Sequence, residues 1–253
     1  MLQTRVIPCL SLQDKGLVKT IKFNNPTYIG DPINAVKIFN EKEVDELIFL
    51  DISATVKNKK PPIKLISQIA SECFMPLGYG GGIRNLDEIK KIFSLGVEKI
   101  IINTHAVENP SFIKQAANLF GSQSIVVSID VKKNLFGKYE IFTQGGKKST
   151  KLNPVIFARQ MEEMGAGELF LNSIDRDGTM KGYDIELIQK ISKKVTIPVI
   201  ACGGAGRLED FGKAIKEGGA SAVAAGSFFV FTGPHRAVLI NFPTPEEVRR
   251  VLT

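Results

Sequence analysis

One segment of this chain repeats another. PLGYGGGIRNLDEIKKIFSLGVEKIIINT, from Pro76 to Thr104, lies without a gap on PVIACGGAGRLEDFGKAIKEGGASAVAAG, from Pro198 to Gly226. Gly81 and Gly82 fall on Gly203 and Gly204, and Gly96 falls on Gly218. The same offset places DELIFLD (Asp45 to Asp51) on GELFLNS (Gly167 to Ser173), and a nearly equal one places VIPCLSL on IVVSIDV, so that Ser11 stands opposite Asp130. Around this repeat runs a rhythm of short Val- and Ile-rich runs (RVIPCLSL, DELIFLDI, FMPLGYGG, EKIIINT, SIVVSIDV, GELFLNSI, IPVIACGG, SAVAAGSF) alternating with amphipathic stretches such as NLDEIKKIFSLG and RLEDFGKAIKEGG. Apolar strands separated by helices imply a parallel sheet covered on both faces. Eight such units suit either an open doubly wound sheet or a closed barrel, and the duplication decides for closure: an α/β fold, a (β/α)8 TIM barrel of two half-barrels, expected to fill residues 1–253 as one domain. The last helix has its own start signal in TPEEV, with Thr244 as cap, Pro245 at the first helical position and Glu247 completing a capping box.

Composition narrows the function classes. No run of about 18 apolar residues and no charged-then-apolar leader is present, so neither a membrane span nor a secretory signal is expected and the reading is cytoplasmic. Cys9, Cys73 and Cys202 form no CxxC pair, and Cys9 and Cys202 lie in strand-like runs, as reduced packed thiols do. With only His105 and His235 available, a histidine-based metal site or a Ser-His-Asp triad has little to be built from, and no metal is expected. The net charge of +7 fits anionic ligands, but the lysines are spread over helix-like segments, as on a solvated surface. Zero Trp, four Tyr and the lack of zinc spacing or a basic helix argue against nucleic acid. GYGGGIRN lacks the further glycine and the acidic strand end that a dinucleotide cofactor requires, so no cofactor is expected.

The glycines point to phosphate. Gly80, Gly81 and Gly82, like Gly203 and Gly204, sit where strands become loops, and without side chains there the backbone N–H groups can approach an anion closely. Asn103 with Thr104, and Gly226 with Ser227, stand at the next strand end in each half. Tight turns alone would also want glycine, but two copies in register, facing each other across a mouth, suggest a ligand with a phosphate at both ends.

At these residues the chain resembles the HisF-type cyclase subunit of imidazole glycerol phosphate synthase. DELIFLDI, GGGI, INTHAVENP, FGSQSIVVSID, SIDRDGTMKGYD and GGAG carry the likeness, which runs from about Arg5 to Phe229 with almost no gaps. The resemblance implies a barrel that receives ammonia at its floor from a separate glutaminase subunit, conducts it through the core, and uses it at the mouth to close an imidazole ring on a bisphosphate substrate, releasing a carboxamide ribonucleotide. It implies a charged ammonia gate at Arg5, Glu46, Lys99 and Glu168, and catalytic or substrate-orienting groups at Asp130, Lys19, Asp51 and Asp177. Four charges of alternating sign beside buried apolar runs suggest a closed ring of ion pairs; ordinary rim salt bridges would be the plainer explanation.

The chain departs from the family at Ser11, where the pattern has an aspartate acting with the one at position 130 as an acid/base pair. Thr20 replaces a glycine, and Asn172 and AAGSFFVF differ as well. A hydroxyl without an adjacent base cannot be tuned to transfer protons near neutral pH, and losing a positioned acid or base costs about 10²- to 10⁴-fold. PCLSLQDKGLVKT followed by IGDPINA resembles a branch of the family associated with surface-polysaccharide loci. That likeness implies a paralogue that keeps ammonia delivery and hands ammonia to a third, asparagine-synthase-like amidotransferase, forming an amidine (acetamidino) group on a nucleotide-linked sugar of lipopolysaccharide O-antigen. The alternatives are a working cyclase of histidine biosynthesis, with Asp130 carrying both proton transfers, and a scaffold that binds a bisphosphate and activates the glutaminase.

Overall fold

A computed structural model describes residues 4–252. Eight parallel strands close into a barrel: β1 (Arg5–Gln13), β2 (Leu47–Asp51), β3 (Leu77–Gly80), β4 (Lys99–Ile102), β5 (Ile125–Lys133), β6 (Glu168–Ser173), β7 (Val199–Cys202) and β8 (Ala222–Ala225). Each pairs with its neighbours in sequence, and β8 pairs with β1 in the register Arg5↔Ala222 to Pro8↔Ala225, which shuts the cylinder. All eight expected strands are present, each within a few residues of its apolar run.

Two cores follow from the period-two alternation of strand side chains. Outward residues such as Val6, Leu10, Phe49, Ile100, Val127 and Leu171 pack under the helices. Inward residues form a separate cluster of Ile7, Cys9, Ile48, Ile101, Val126, Phe170, Ile200, Ala222 and Ala224. β3 contributes only Gly78 and Gly80 to the interior; a Cβ at Gly78 would stand 3.0 Å from Ile101 and 3.1 Å from Ile48. The barrel is therefore filled unevenly, with bulky aliphatics on most strands and almost nothing on β3 and β8. All three cysteines are free thiols.

Helices cover the outside, and their starts are chemically marked. Asp31 caps Pro32–Glu41 through Ile33 N and Asn34 N, Asn85 caps Leu86–Phe93 through Glu88 N, and Asn153 caps Pro154–Glu163 through Val155 N and Ile156 N. The final helix, Pro245–Leu252, opens on the expected box: Glu247 N donates to Thr244 Oγ1 at 3.3 Å, and Thr244 N donates to Glu247 Oε2 at 2.8 Å.

Three antiparallel additions, not foreseen from the sequence rhythm, rise at the carboxyl ends of the barrel strands. β1 continues into a hairpin of Gly16–Ile21 and Asn24–Gly30, β5 into one of Tyr139–Thr143 and Lys148–Ser149, and β8 is followed by a small hairpin of Phe231–Thr232 and Ala237–Val238. Among the described residues no helix is long and apolar enough to cross a membrane.

Candidate active site at the barrel mouth

The carboxyl ends of the strands enclose a cavity of about 410 Å³. Every mouth position singled out in the sequence lines it: Ser11, Lys19, Asp51, Asp130, Asp177, Asn103, Thr104, Gly81, Gly82, Gly203, Gly204, Gly226 and Ser227. The strand ends bring them together because inward residues alternate along each strand, so β1 presents Arg5, Ile7, Cys9 and Ser11 in ascending layers and β5 presents Val126, Ser128 and Asp130.

Asp130 is buried, and the only hydrogen bond to its carboxylate among the described residues is a long one, from Ser128 Oγ at 3.4 Å. Burial, together with the nearby charge of Asp177, pushes its carboxyl up to about 7. Ser11 stands at the equivalent place on β1, half-buried, and its hydroxyl has no hydrogen-bonded base among the described residues. The duplicated mouth thus holds one acid poised near neutrality and, across from it, an unactivated alcohol.

Asp177 lies on the loop after β6. Burial raises its pKa, against the opposing pull of Lys19 and of hydrogen bonds from Thr20 and the Phe23 backbone. Thr20 Oγ1 donates to Asp177 Oδ2 at 3.0 Å and Lys22 N donates to Asp177 O at 2.9 Å, which fastens the hairpin after β1 to the β6 loop. The Thr20 departure has a structural use. Lys19 reaches inward from the same hairpin and donates from Nζ to Cys9 O at 2.7 Å; it lies where a Cβ on residue 226 would be, so Gly226 is the residue that admits it.

Asp51 is largely a loop organiser. Its Oδ1 accepts from Ser53 N and Ser53 Oγ, both at 2.9 Å, and from Ala54 N at 3.0 Å. Gly81 (φ +121°) and Gly203 (φ +88°) share left-handed backbone, and a Cβ at either would stand within 2.7 Å of a backbone oxygen, of Asp51 or of Ser173 respectively. The turn geometry accounts for these glycines even before a ligand is considered. Asn103 Nδ2 donates to Ser128 O at 2.9 Å, and Thr104 Oγ1 accepts from Gln144 N at 3.0 Å, tying the β4 end to β5 and its hairpin.

At the opposite end, Arg5, Glu46, Lys99 and Glu168 form a closed ring. Arg5 pairs with Glu46 through Nη1 and with Glu168 Oε1 at 2.7 Å through Nη2, while Lys99 Nζ reaches Glu46 Oε2 at 2.9 Å and Glu168 Oε2 at 3.1 Å. Burial opposes the Arg5 charge, and Glu168 and Glu46 outweigh it, so its pKa is raised. Above the ring begins the aliphatic interior. Such a lining favours a small neutral molecule over a charged one.

Asn172, noted in the sequence as a departure from the family, is joined at the mouth by two features that escaped it. Asn172 Oδ1 is buried with no hydrogen-bond partner among the described residues. Lys57 and Lys59 converge on Asp14, at 3.0 and 2.8 Å, pinning the tip of the β1 hairpin to the β2 loop. Arg236 approaches Ser227 from the C-terminal hairpin. Neither the lysine pair nor Arg236 belongs to a periodic or glycine-marked segment; the turn-like TGPHR before Ala237 is the signal that points to a hairpin there. Among the described residues no His, Cys, Asp and Glu group is arranged to hold a metal ion.

Known proteins with this sequence pattern agree on the lineage. A family model described as "Histidine biosynthesis protein" matches residues 5–234. A Pseudomonas aeruginosa protein named "Putative imidazole glycerol phosphate synthase subunit hisF2" is 56% identical over 243 residues, 96% of this chain and 97% of that one. A Leptospira interrogans protein named "Putative imidazole glycerol phosphate synthase subunit HisF" is 52% identical over 98% of both chains. The "Imidazole glycerol phosphate synthase subunit HisF" of Alkaliphilus metalliredigens is 42% identical over 90% of this chain and 91% of its own. A closed barrel with this mouth, this ring and these relatives belongs to the histidine biosynthesis protein family, as a HisF-type cyclase-like subunit.

Proposed function

We propose that this chain is the ammonia-receiving barrel of a glutamine-dependent amidotransferase complex, in which the ring-closing chemistry of the HisF type has been reduced and ammonia passes to a separate acceptor enzyme. A HisH-like glutaminase docks under the floor, the Arg5–Glu46–Lys99–Glu168 ring is the entry gate, and neutral ammonia travels along the aliphatic interior. The mouth takes a ligand with phosphates at Gly81–Gly82–Asn103–Thr104 and at Gly203–Gly204–Gly226–Ser227. Lys19, Asp51 and Asp177 orient it, and Asp130 is the surviving acid/base. The acceptor is an asparagine-synthase-like amidotransferase that builds an acetamidino group on a nucleotide-linked sugar for surface polysaccharide. The whole chain serves as one barrel domain working in the cytoplasm.

One observation carries this reading: Ser11, opposite Asp130, has no base to activate it. An intact ring at the floor beside a mouth with one acid missing is what delivery without efficient cyclisation requires. The second reading, a working cyclase of histidine biosynthesis, draws support from Asp130, whose carboxyl at about 7 suits proton transfer in either direction at neutral pH.

Steady-state cyclase turnover on the bisphosphate imidazole precursor with free ammonium, for the native protein and for Ser11→Asp, separates the two. The expected outcome is a native rate at least about 100-fold below that of Ser11→Asp, the contribution of one positioned acid or base. Equal, enzyme-like rates for both would establish the cyclase instead.

A further inference from the structure

We infer that Arg236, on the C-terminal hairpin, is an anion-binding residue that completes the Gly204–Ser227 side of the mouth. The inference rests on reading the mouth as a phosphate-binding cavity, and is independent of where the ammonia goes.

The hairpin is built to hold this side chain in place. Leu239 N donates to Val230 O at 3.0 Å and Asn241 N donates to Phe229 O at 2.8 Å, laying the returning chain against the segment that follows β8. Arg236 itself occupies left-handed backbone at φ +53°, an unfavourable conformation for a residue with a Cβ, and its N–H closes the turn on Gly233 O at 3.1 Å. That turn points the guanidinium back over the barrel. Its carbon lies 4.6 Å from the centre of the Phe231 ring, a cation–π arrangement that fixes the plane of the group. Nη2 then donates to Gly178 O at 3.1 Å and to Ser227 Oγ at 3.4 Å.

Both partners are neutral. Among the described residues Arg236 forms no ion pair, and Nη1 and Nε make no hydrogen bond. Asp177 feels its charge from beyond ion-pair distance. A half-buried guanidinium with free donors and no carboxylate is costly in isolation, and planar, bidentate donation to phosphate oxygens is what such a fork satisfies best. Lys19, the second cation of this corner, also has no ion pair among the described residues; its Nζ sits beside Gly226, the residue preceding Ser227. At the equivalent corner of the other half-barrel the Thr104 hydroxyl accepts a backbone N–H from Gln144, and Lys57 and Lys147 also line the cavity. Lys19 and Arg236 thus supply the β8 corner with two cations that no carboxylate pairs among the described residues, beside the glycines that both halves share.

The test is calorimetric binding of inorganic phosphate and of ribulose 1,5-bisphosphate to the full-length protein at low salt, for the native chain, Arg236→Ala, Arg236→Gln and Thr104→Ala. Losing a charged hydrogen-bonding group should weaken both probes about tenfold to hundredfold in either Arg236 variant, with a smaller loss for Thr104→Ala. Arg236→Gln can still donate to Gly178 O, so it keeps the hairpin tethered if the alanine variant loses structure. Affinities within about twofold of native in Arg236→Gln, or no uptake of either probe by the native chain, would overturn the assignment. Neither result bears on the Ser11→Asp turnover comparison, so failure here is distinguishable from failure of the ammonia-delivery reading.

Discussion

The two ends of this barrel treat charge in opposite ways. At the floor, two acids and two bases close on one another, and each cation reaches both carboxylates. At the mouth, Asp130 has no cation beside it, Lys19 and Arg236 hold only neutral oxygens, and Asn172 Oδ1 has no partner among the described residues. Buried charge is expensive unless paired. The floor pairs its charges internally, although Glu46 Oε1 has no hydrogen-bond partner among the described residues, whereas the mouth leaves its cations unpaired and open to a ligand. A closed end and an unfinished end, on one continuous apolar interior, make a vessel with a direction.

The comparison breaks most severely at the floor. Glu46→Gln removes one carboxylate from the ring and leaves Arg5 and Lys99 facing Glu168 alone. Removing one member of a buried pair costs about 3–5 kcal/mol, and the partial exposure of Arg5 (25%) and Lys99 (16%) brings the expected loss to about 2–3 kcal/mol. Chemical denaturation at neutral pH measures it. An unchanged midpoint would mean that the ring contributes no stability and that its charges are kept for gating alone.

The mouth should respond with the opposite sign. Asp130 has a raised folded-state pKa, about 7, so the folded protein binds a proton that the unfolded chain releases near its ordinary value of 3.8. Its contribution is fully present below the unfolded value and is lost as pH rises through the folded one, so stability declines from about pH 4 to about pH 7. Asp130→Asn cannot ionise. It should therefore match the native protein at pH 4 and exceed it by about 1–2 kcal/mol at pH 8, an estimate reduced for relaxation and water entry around the buried carboxylate. Asp177, raised in the same direction by burial, keeps a residual slope in the variant. In Ser11→Asp a second carboxylate across the mouth should lift the Asp130 midpoint further above 7, readable by carbon-13 NMR of the carboxyl.

How much of this was written in the sequence depends on whether the signal was periodic. The eight strands and the half-barrel duplication were legible because apolar runs, glycine pairs and amphipathic helices recur at fixed spacing. The capping box at Thr244 and Glu247 was legible because caps are local chemistry. The lining of the mouth by Ser11, Asp130 and the paired glycines followed from where strands end, and that by Lys19 from the family resemblance alone. What stayed hidden depends on long-range folding back of irregular segments: Arg236 is nine residues from Ser227 and far from Gly178 in sequence, and Thr20 and Asp177 are 157 residues apart. The Asp51 carboxylate shows the converse. The family resemblance implied a ligand contact, and the structure gives one of its oxygens to three donors in its own loop.

Thr20→Val is the mildest test and the most specific to this chain. The threonine sits where the family pattern has glycine, and it is buried at 8% exposure with its hydroxyl on Asp177 Oδ2 at 3.0 Å. Valine keeps the shape and the β-branched preference for the strand Gly16–Ile21, so only the hydrogen bond is lost. The expected cost is about 1 kcal/mol in global stability, with Asp177 left short of one donor and its carboxyl pushed further up. Because Lys22 N still holds Asp177 O, the hairpin remains attached, and faster amide exchange should be confined to Gly16–Gly30. If exchange quickens at the floor strands as well, the two ends are coupled, and the mouth communicates its state to the ring below.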